Sequence, residues 1–337
     1  MIDFYKNVVG FDLKREENEL AILGTGKIVD EVLPVLKEIN GIELSAILST
    51  PRSLEKAQKL AEIYGISQAS SDYDSILANP DVDTVYVALP NHLHYDYAKK
   101  ALLAGKHVIC EKPFTLTLAE FEDLAKIAEQ NNRILLEAIT NQYLGNFAAI
   151  KDNLAKLGDI KIVECNYSQY SSRYDAFKRG EIAPAFDPAK GGGALRDLNI
   201  YNIHLVIGLF GKPEKVQYLA NMERGVDTSG ILIMDYGHFK AACIGAKDCA
   251  AEIKSTIQGN KGSIAIIGAT NTLPELALSL NNQSMTMINE NTLNHRMHDE
   301  FVAFQAIIEQ EDMTATKLAL EHSRAVMEVL DAAVNSL

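Results

Sequence analysis

The stretch that decides the fold is ELAILGTGKIVDEVLPVL, residues Glu19–Leu36. A short apolar run, Leu20–Leu23, leads directly into Gly24-Thr25-Gly26 and then into residues whose apolar positions recur at steps of three and four. This order predicts a buried strand, a tight glycine turn and an amphipathic helix. At such a turn the backbone N–H groups and the helix dipole can bind a pyrophosphate, so the stretch indicates a dinucleotide-binding site.

The glycine turn supplies the first set of candidate site residues. Gly24 permits the tight turn, and Gly26 lets a phosphate group approach the backbone closely. Val29 stands where a third glycine is usual, so we expect the helix to lie slightly farther from the strand. The predicted cofactor-binding residues here are Gly24, Thr25, Gly26, Lys27 and Ile28.

Apolar runs alternate with helical spacing as far as about Thr140, which is typical of a parallel sheet buried on both faces. Strand candidates there are Leu20–Leu23, Ile42–Leu48, Thr84–Leu89, His107–Cys110 and Ile134–Ala138. Beyond about Tyr143 the alternating segments are longer and favour an antiparallel sheet. They are Ile160–Tyr170, Lys215–Asn221, Gly230–Phe239, Glu252–Gln258, Ser263–Ile267 and Leu276–Leu280. We therefore predict an α/β fold: a doubly wound parallel sheet in residues 1–141, with 1–18 as an extension, and a second, mostly antiparallel domain in residues 142–337.

Composition limits the class of protein. The chain has 337 residues, of which 47% are apolar and 23% charged, values that suit a folded globular protein. Lys and Arg total 32 and Asp and Glu total 45, so the net charge of −13 argues against nucleic acid or an anionic membrane as partner. No apolar run reaches the roughly 18 residues that a membrane span needs. Met1–Glu17 lacks the pattern of a secretion signal, so we expect a cytoplasmic protein. The scattered cysteines predict buried thiols and no metal site.

The end of the second strand bears on the choice of cofactor. It reads Leu48-Ser49-Thr50-Pro51-Arg52, with no carboxylate to bind the ribose 2′-hydroxyl of NAD. Ser49, Thr50 and Arg52 could instead hold a 2′-phosphate, which favours NADP over NAD. The alternative is that Arg52 only begins the next helix on the surface.

Lys112 follows a strand directly, in the sequence Glu111-Lys112-Pro113. The carboxyl ends of strands are where open α/β sheets bind their ligands. Pro113 favours extended geometry at Lys112, so the side chain can be held at that edge. The alternative is a solvated surface lysine.

The segment Ala194–Phe210 is apolar on nearly every side and predicts a buried helix. At 100° per residue, Asp197, Tyr201 and His204 would share one face within about 60°. A buried carboxylate is costly without a partner, so we expect a lysine from the first domain to satisfy Asp197 and complete a proton-transfer site. The alternative is a structural network in which Asp197 caps a turn and His204 bonds a backbone carbonyl, and for His204 we favour that alternative.

Taken together, five motifs resemble the glucose-fructose oxidoreductase, inositol dehydrogenase and rhizopine-catabolism family. They are GTG at 24–26, PNHLH at 90–94, EKP at 111–113, GGGALRD at 191–197 and VMEVLD at 326–331. The resemblance covers nearly the whole chain from about Glu19. It implies an N-terminal Rossmann domain and a C-terminal α/β domain whose open sheet often forms a subunit interface.

The resemblance also implies roles for single residues. Lys112 would contact the reacting hydroxyl and the nicotinamide ribose. The position four residues after Asp197, a catalytic histidine in inositol-type members, is Tyr201, which resembles the dihydrodiol dehydrogenase branch with a tyrosine acid or base. The charge of Lys112 would lower the pKa of that tyrosine. The residues that would line the nicotinamide end are Leu89, Pro90, Asn91, His94 and Glu111.

Two features leave specificity open. Thr50-Pro51 disturbs the serine-arginine pair of NADP-using members, so NAD remains an alternative. Ser171–Lys190 should lie over the substrate and offers Arg173, Lys178 and Arg179, of which Arg173 is the substrate candidate, with His204 as a further one. The alternative is that these cations are solvated loop charges, and they do not identify a substrate.

We expect hydride transfer between NADP(H), or NAD(H), and a hydroxyl or carbonyl carbon of a sugar, polyol or dihydrodiol. Tyr201 would exchange the proton, Lys112 would polarise the hydroxyl and Asp197 would orient the pair. The alternative is a dinucleotide-binding sensor that has lost turnover. A sheet covered on one face predicts a homodimer or homotetramer through the C-terminal sheet.

Overall fold

The computed structural model describes residues 18–292 and 294–337. Two predictions concern residues 1–17: that they form an N-terminal extension and that they lack a secretion signal. These residues lie outside the described part of the chain. The chain forms two compact units. The first comprises residues 18–114, 119–138 and 297–321, and the second comprises residues 115–118, 139–296 (described without 293) and 322–337.

Helices and strands alternate regularly in the first part of the chain, whereas strands dominate after residue 210. From residue 18 to 138 the elements are β1 Asn18–Leu23, α1 Lys27–Leu36, β2 Ile42–Leu48, α2 Leu54–Tyr64, β3 Gln68–Ser70, α3 Tyr73–Leu77, β4 Thr84–Val87, α4 His94–Leu103, β5 His107–Glu111, α5 Leu118–Gln130 and β6 Leu135–Ala138. Then follow α6 Gly145–Asn153, β7 Ile160–Ser168, α7 Tyr174–Lys178, α8 Ile200–Phe210, β8 Lys215–Glu223, β9 Val226–Asp235, β10 Lys240–Ala246, β11 Lys254–Gly259, β12 Gly262–Ile267, β13 Glu275–Leu280, β14 Thr286–Ile288, α9 His298–Glu309 and α10 Met313–Asn335. No helix among these residues has the length and hydropathy of a membrane span.

The first unit confirms the predicted doubly wound parallel sheet. Its strand order is β3-β2-β1-β4-β5-β6, and every pairing is parallel. Leu23 at the end of β1 is in register with Leu48 of β2 on one side and with Val87 of β4 on the other. The chain therefore leaves the sheet at the switch point between β1 and β4, where such sheets bind ligands. Strand β3 was not predicted, because it is short and only half-buried.

The sequence analysis divided the chain once, between residues 141 and 142. In the structure the first unit also includes residues 297–321, from near the end of the chain. Helix α9 packs against its sheet through Phe301, whose ring meets Tyr86 edge-on at 5.2 Å between centroids. Asn18 Nδ2 also donates to Gln305 Oε1 at 3.1 Å. Contacts between such distant parts of the chain carry no local sequence signal.

The second unit confirms a mostly antiparallel sheet. Its strand order is β14-β13-β12-β11-β7-β10-β9-β8, with β7 and β10 parallel. The predicted strand Gly230–Phe239 corresponds to β9, but β10 was missed. Its sequence, KAACIGA, consists largely of small residues and lacks the polar and apolar alternation by which the other strands were found.

The two faces of this sheet differ. Val163, Cys165 and Cys243 belong to the buried face. The opposite face leaves large apolar side chains exposed in the isolated chain: Ile162, Leu219, Ile231, Ile267 and Met287. In the strand register Leu219 is opposite Ile231, which is opposite Ile244, so part of this apolar surface runs continuously across three strands.

The glycine turn generates a stability prediction. Gly24 has φ of +116°, and a Cβ there would lie 2.6 Å from the carbonyl oxygen of Ala88, so Gly24→Ala should destabilise the protein by about 1–3 kcal/mol. Gly26 is the control, because its φ is −79° and a Cβ would meet nothing within 4 Å. Urea unfolding should therefore show a loss for Gly24→Ala and none for Gly26→Ala. Equal stability of the two variants would contradict this account of the turn.

Candidate active site

The glycine turn leaves the start of α1 open to an anion. Gly26 is the N-cap of α1, and no side chain of the described residues caps this helix start. The first intrahelical bonds run from the N–H groups of Val29 and Asp30 to Gly26 O, at 3.1 and 3.2 Å. The N–H groups of Lys27 and Ile28 precede these bonds, at the positive end of the helix dipole. With open space above Gly26, the turn fits the pyrophosphate of a dinucleotide.

The candidate 2′-phosphate residues lie together just after β2. Ser49 Oγ donates to Thr50 O at 3.1 Å, and the hydroxyls of Thr50 and Ser53 are 3.1 Å apart. Arg52 is exposed in a 3-10 turn, Pro51–Ser53, that precedes α2. The residues Ser49, Thr50 and Arg52 therefore present two hydroxyls and a guanidinium, and no carboxylate.

Lys56 is a neighbour of the turn that the sequence analysis missed. Its Nζ donates to Thr25 O at 2.8 Å and to Asp30 Oδ2 at 2.9 Å. An ammonium group is thus bound directly to the backbone of the glycine turn. The available signal was a second cation, four residues after Arg52, in the first turn of the helix that follows β2.

His94 connects two of the predicted cofactor loops. It is fully buried, with Nε2 2.8 Å from Leu89 O and Nδ1 2.9 Å from Pro113 O. Burial lowers the pKa of His94, so the ring is neutral and donates to one of these carbonyls. The ring lies between the loop of Leu89, Pro90 and Asn91 and the loop of Pro113. This positions His94 to fix both loops, and its predicted place beside the cofactor stays a prediction.

Lys112 follows β5 directly, as the sequence predicts, and the Lys112–Pro113 peptide is cis. Side chains hold the chain on both sides of it. Glu111 Oε1 accepts from the hydroxyl of Tyr86 at 2.5 Å, and Oε1 of the buried Glu137 accepts from Phe114 N at 3.2 Å. Lys112 therefore lies in a short loop whose two ends are anchored by carboxylates.

In the second unit, the helix that carries Asp197 begins differently from the prediction. Leu195–Asn199 is a π-helical turn, and the α-helix α8 begins at Ile200. Tyr201 and His204 both lie in α8, three residues apart, as predicted. Asp197 lies in the π-helical turn, where the rotation of 100° per residue does not hold, so the predicted α-helical spacing between Asp197 and Tyr201 is wrong. Asp197 and Tyr201 are partly exposed, whereas His204 is fully buried.

Asp197 has a charged partner within its own unit. Lys247 Nζ is 2.6 Å from Asp197 Oδ2, and the lysine side chain is 2% exposed against 37% for the aspartate. The sequence analysis expected a lysine from the first domain in this role. It missed Lys247 because the residue follows β10, the strand that was not predicted.

Buried amides hold the backbone around Tyr201. Asn141 Nδ2 donates to Tyr201 O at 2.8 Å, and Gln142 Nε2 donates to His204 O at 3.0 Å. Asn202 Nδ2 donates to Ile244 O at 3.0 Å, which ties α8 to the sheet. One side-chain amide thus binds the backbone of Tyr201 and two more hold the helix around it, a role that no sequence pattern had indicated.

Asp227 binds the start of the π-helical turn, and its carboxylate leaves no room for a side chain at position 193. Its Oδ2 accepts from Leu195 N and from the Tyr218 hydroxyl, both at 2.7 Å. Gly193 has φ of +122°, and a Cβ there would lie 1.9 Å from Asp227 Oδ1. Gly193 therefore leaves room for the half-buried carboxylate of Asp227 to bind the start of the turn.

His204 is paired with a second histidine. Its Nδ1 is 2.9 Å from His322 Nε2; His204 is fully buried and His322 is half-buried. Burial, with smaller contributions from His204 and Lys151, lowers the pKa of His322 to about 3. The alternative favoured for His204, a structural network, agrees with this geometry, although its partner is an imidazole and not a carbonyl.

Arg173 lies away from these pairings. It is exposed at the start of α7, where its backbone N–H donates to Ser171 Oγ at 3.3 Å. Its substrate contact stays a prediction. No group of three His, Cys, Asp or Glu side chains in the described residues could hold a metal ion.

A doubly wound parallel sheet with a glycine turn at its switch point, followed by a second α/β unit with an open sheet, is typical of the class of dinucleotide-dependent oxidoreductases. Two family models match the chain. Residues 19–139 match the oxidoreductase family with the NAD-binding Rossmann fold, and residues 148–265 match the GFO/IDH/MocA C-terminal domain. The chain belongs to the GFO/IDH/MocA family, which confirms the resemblance seen in the motifs.

Curated relatives agree with this membership. The chain is 37% identical to scyllo-inositol 2-dehydrogenase (NADP(+)) IolU of Bacillus subtilis over 249 residues, 73% of this chain and 75% of the relative. It is 29% identical to trans-1,2-dihydrobenzene-1,2-diol dehydrogenase of Xenopus laevis, over 73% of this chain and 74% of the relative. A crystal structure of KijD10, a 3-ketoreductase from Actinomadura kijaniata in complex with NADP and TDP-benzene, has the same fold, with a TM-score of 0.83 and 22% identity over 95% and 98% of the two chains.

The histidine pair generates a prediction about pH. An unfolded histidine titrates near pH 6.5, whereas His322 in the folded protein stays neutral down to about pH 3. Below pH 6.5 the unfolded chain therefore binds a proton that the folded protein does not. The free energy of unfolding should fall by up to about 1.4 kcal/mol for each pH unit below 6.5. His322→Gln keeps an amide near Nε2 but cannot titrate, so its stability should fall less steeply. The measurement is urea unfolding at pH 7, 6 and 5.

His238→Gln, at an exposed histidine, is the matched control for the substitution itself. Parallel stability curves for His322→Gln and the wild type would contradict the assignment of a neutral buried ring.

Proposed function

We propose that this protein is an NADP-dependent oxidoreductase that transfers a hydride between the nicotinamide and a hydroxyl or carbonyl carbon of a sugar, polyol or dihydrodiol. The observation that carries the proposal is the open start of α1 behind Gly24 and Gly26, at the switch point of a parallel sheet. Relatives that act on scyllo-inositol and on a dihydrodiol support the substrate class.

NADP is the proposed cofactor, with NAD as the alternative, and when bound it would donate or accept the hydride. Lys27 and Ile28 would bind the pyrophosphate through their backbone N–H groups. Ser49, Thr50 and Arg52 would bind the 2′-phosphate. The absence of a carboxylate in this segment and the NADP(+) in the name of the Bacillus subtilis relative support that choice.

Three side chains would carry the proton chemistry. Tyr201 would exchange the proton of the substrate hydroxyl as general acid or base, and Lys112 would polarise that hydroxyl. Asp197 would orient the groups around it. The backbone bonds that hold Tyr201 support this role, because general acid-base catalysis requires a fixed distance to the proton.

We further propose that the protein is a homodimer or homotetramer that associates through the open face of the second sheet. The exposed Ile162, Leu219 and Ile231 lie on that face. Leu219 and Ile231 form a continuous apolar row with Ile244, and such a surface is typical of protein interfaces. The cytoplasmic location stays a prediction from the sequence.

The enzymatic activity is tested with NADP+ and a panel of inositols, sugars and dihydrodiols, followed at the absorbance band of reduced nicotinamide. Lys112→Ala and Tyr201→Phe should bind NADPH normally but lower kcat by about 10²–10⁴, because the first removes the charge that polarises the hydroxyl and the second removes the general acid or base. Gly26→Ala should lose NADPH affinity while remaining folded, since its methyl group would occupy the space above the turn.

Lys99→Ala is the matched lysine control in the same unit, where Lys99 pairs with Asp123 on the surface, and it should turn over like the wild type. Saturable NADPH binding without turnover on the whole panel would favour the sensor alternative. Near-normal rates for Lys112→Ala would overturn its assigned role.

Assembly is tested by light scattering at low micromolar concentration. Ile231→Lys places a charge in the centre of the apolar row and should dissociate the oligomer. Ile63→Lys is the control, because Ile63 is an exposed apolar residue on α2 of the first unit. A monomeric wild-type protein would contradict the proposed interface.

A further inference from the structure

Lys247 is a buried charge in the second unit whose ammonium group contacts two different segments of the chain. Its Nζ is 2.6 Å from Asp197 Oδ2, 2.6 Å from the carbonyl oxygen of Ala185, and 4.3 Å from the centre of the Phe186 ring. The side chain is only 2% exposed. One ammonium group therefore joins the aspartate of the helix to the segment Ala185–Phe186.

The backbone of Lys247 is held as firmly as its side chain. Its N–H donates to Thr228 O at 2.8 Å, and its carbonyl oxygen accepts from Ser171 N at 2.9 Å. The next residue, Asp248, accepts from the hydroxyls of Thr228 and Ser229 at 2.7 and 2.9 Å. The ammonium thus extends from a rigid point at the end of β10.

Stability alone does not account for this arrangement. Removing an ammonium from water is costly, and a buried ion pair is often no more stable than an apolar pair of similar volume. The pair is also asymmetric, because the aspartate side chain remains 37% exposed while the lysine is enclosed. A buried cation therefore holds a carboxylate that stays accessible from outside.

The same contact fixes a second element. Ala185 and Phe186 belong to the segment Ser171–Lys190, and Phe186 is fully buried against Phe177 at 4.9 Å between ring centroids. The ammonium is bound to the carbonyl of Ala185 on one side and to the carboxylate on the other. The position of this segment and the orientation of Asp197 are thereby coupled through one atom.

We propose that Lys247 is a positioning residue for the reaction, which orients Asp197 and anchors the segment Ala185–Phe186 beside it. This inference rests on the proposed function, in which Asp197 orients the reacting groups. Lys247 acts through Asp197 and needs no contact with substrate or cofactor.

The test is a double-mutant cycle with Lys247→Met, Asp197→Asn and the two combined. Methionine keeps the apolar length over Phe186 and removes the charge. Lys247→Met should lower kcat by about tenfold or more, because a small misplacement of a reacting group is costly, and should leave NADPH affinity unchanged. In the Asp197→Asn background the same substitution should cause no further loss of kcat. If Lys247 were merely structural, Lys247→Met would lower stability, and it would lower kcat by the same factor with or without Asp197→Asn.

Lys240→Met is the matched control. Lys240 lies at the other end of the same strand and pairs with Asp235 at 2.8 Å on the surface, so its loss should change neither kcat nor KM. A second variant, Lys247→Ala, leaves room for an added alkylammonium ion, which should restore kcat in a concentration-dependent way. The same ion should not restore activity to Asp197→Asn.

A readout independent of turnover is trypsin cleavage after Arg179 and Lys190, which flank the anchored segment. Cleavage should be faster in Lys247→Met than in the wild type or Lys240→Met. Wild-type kcat in Lys247→Met, a full second loss in the Asp197→Asn background, or unchanged cleavage would overturn the proposal.

An inactive wild-type protein would instead overturn the proposed function, and the cleavage rates would still decide whether Lys247 anchors the segment. Full activity of Asp197→Asn would show that the reaction does not need the Asp197 carboxylate. The proposed role of Lys247 in orienting Asp197 would then be overturned.

Discussion

The arrangement of the first unit depends on the close approach of the backbone at Gly24 to the backbone at Ala88. At Gly24 the chain leaves β1 between β2 and β4, and its N–H donates to Leu48 O at 2.9 Å. A Cβ at this point would lie 2.6 Å from Ala88 O, so a side chain would force the turn away from the sheet. The start of α1 would move with it, together with the N–H groups proposed to bind a pyrophosphate. Steric exclusion at one position thus decides whether the helix dipole points at a ligand site.

In the second unit, buried polar groups determine where the proposed reacting residues lie. Asp227 caps the π-helical turn, Asn141 and Gln142 bind carbonyl oxygens of α8, and Lys247 pairs with Asp197. Each of these groups would be costly to bury without its partner, so the network tolerates few alternative arrangements. A helix whose buried side chains are mostly apolar is therefore also held by specific polar contacts. That constraint suits proton transfer, which depends on distances more than on the amount of apolar surface buried.

Parts of the candidate site differed in how well they could be predicted. The glycine turn and the place of Lys112 after β5 followed from short motifs, because a strand end and a turn are local features. The partner of Asp197 did not, since Lys247 lies 50 residues away in the sequence and follows a strand of small residues. The π-helical turn also escaped prediction, because hydrophobic periodicity alone does not distinguish it from an α-helical turn. The pairing of His204 with His322 could not be predicted either, because it joins two distant segments.

The sequence by itself determined the α/β class, the parallel first sheet, the mostly antiparallel second sheet and the family. These follow from patterns of a few residues, in which side-chain periodicity and glycine conformations act within one element. Tertiary structure alone decided which charges pair, which amides hold Tyr201, and that α9 belongs to the first unit. Those outcomes depend on the register and packing of distant elements, and the cost of burying a charge or an amide selects its partner only after the chain has folded.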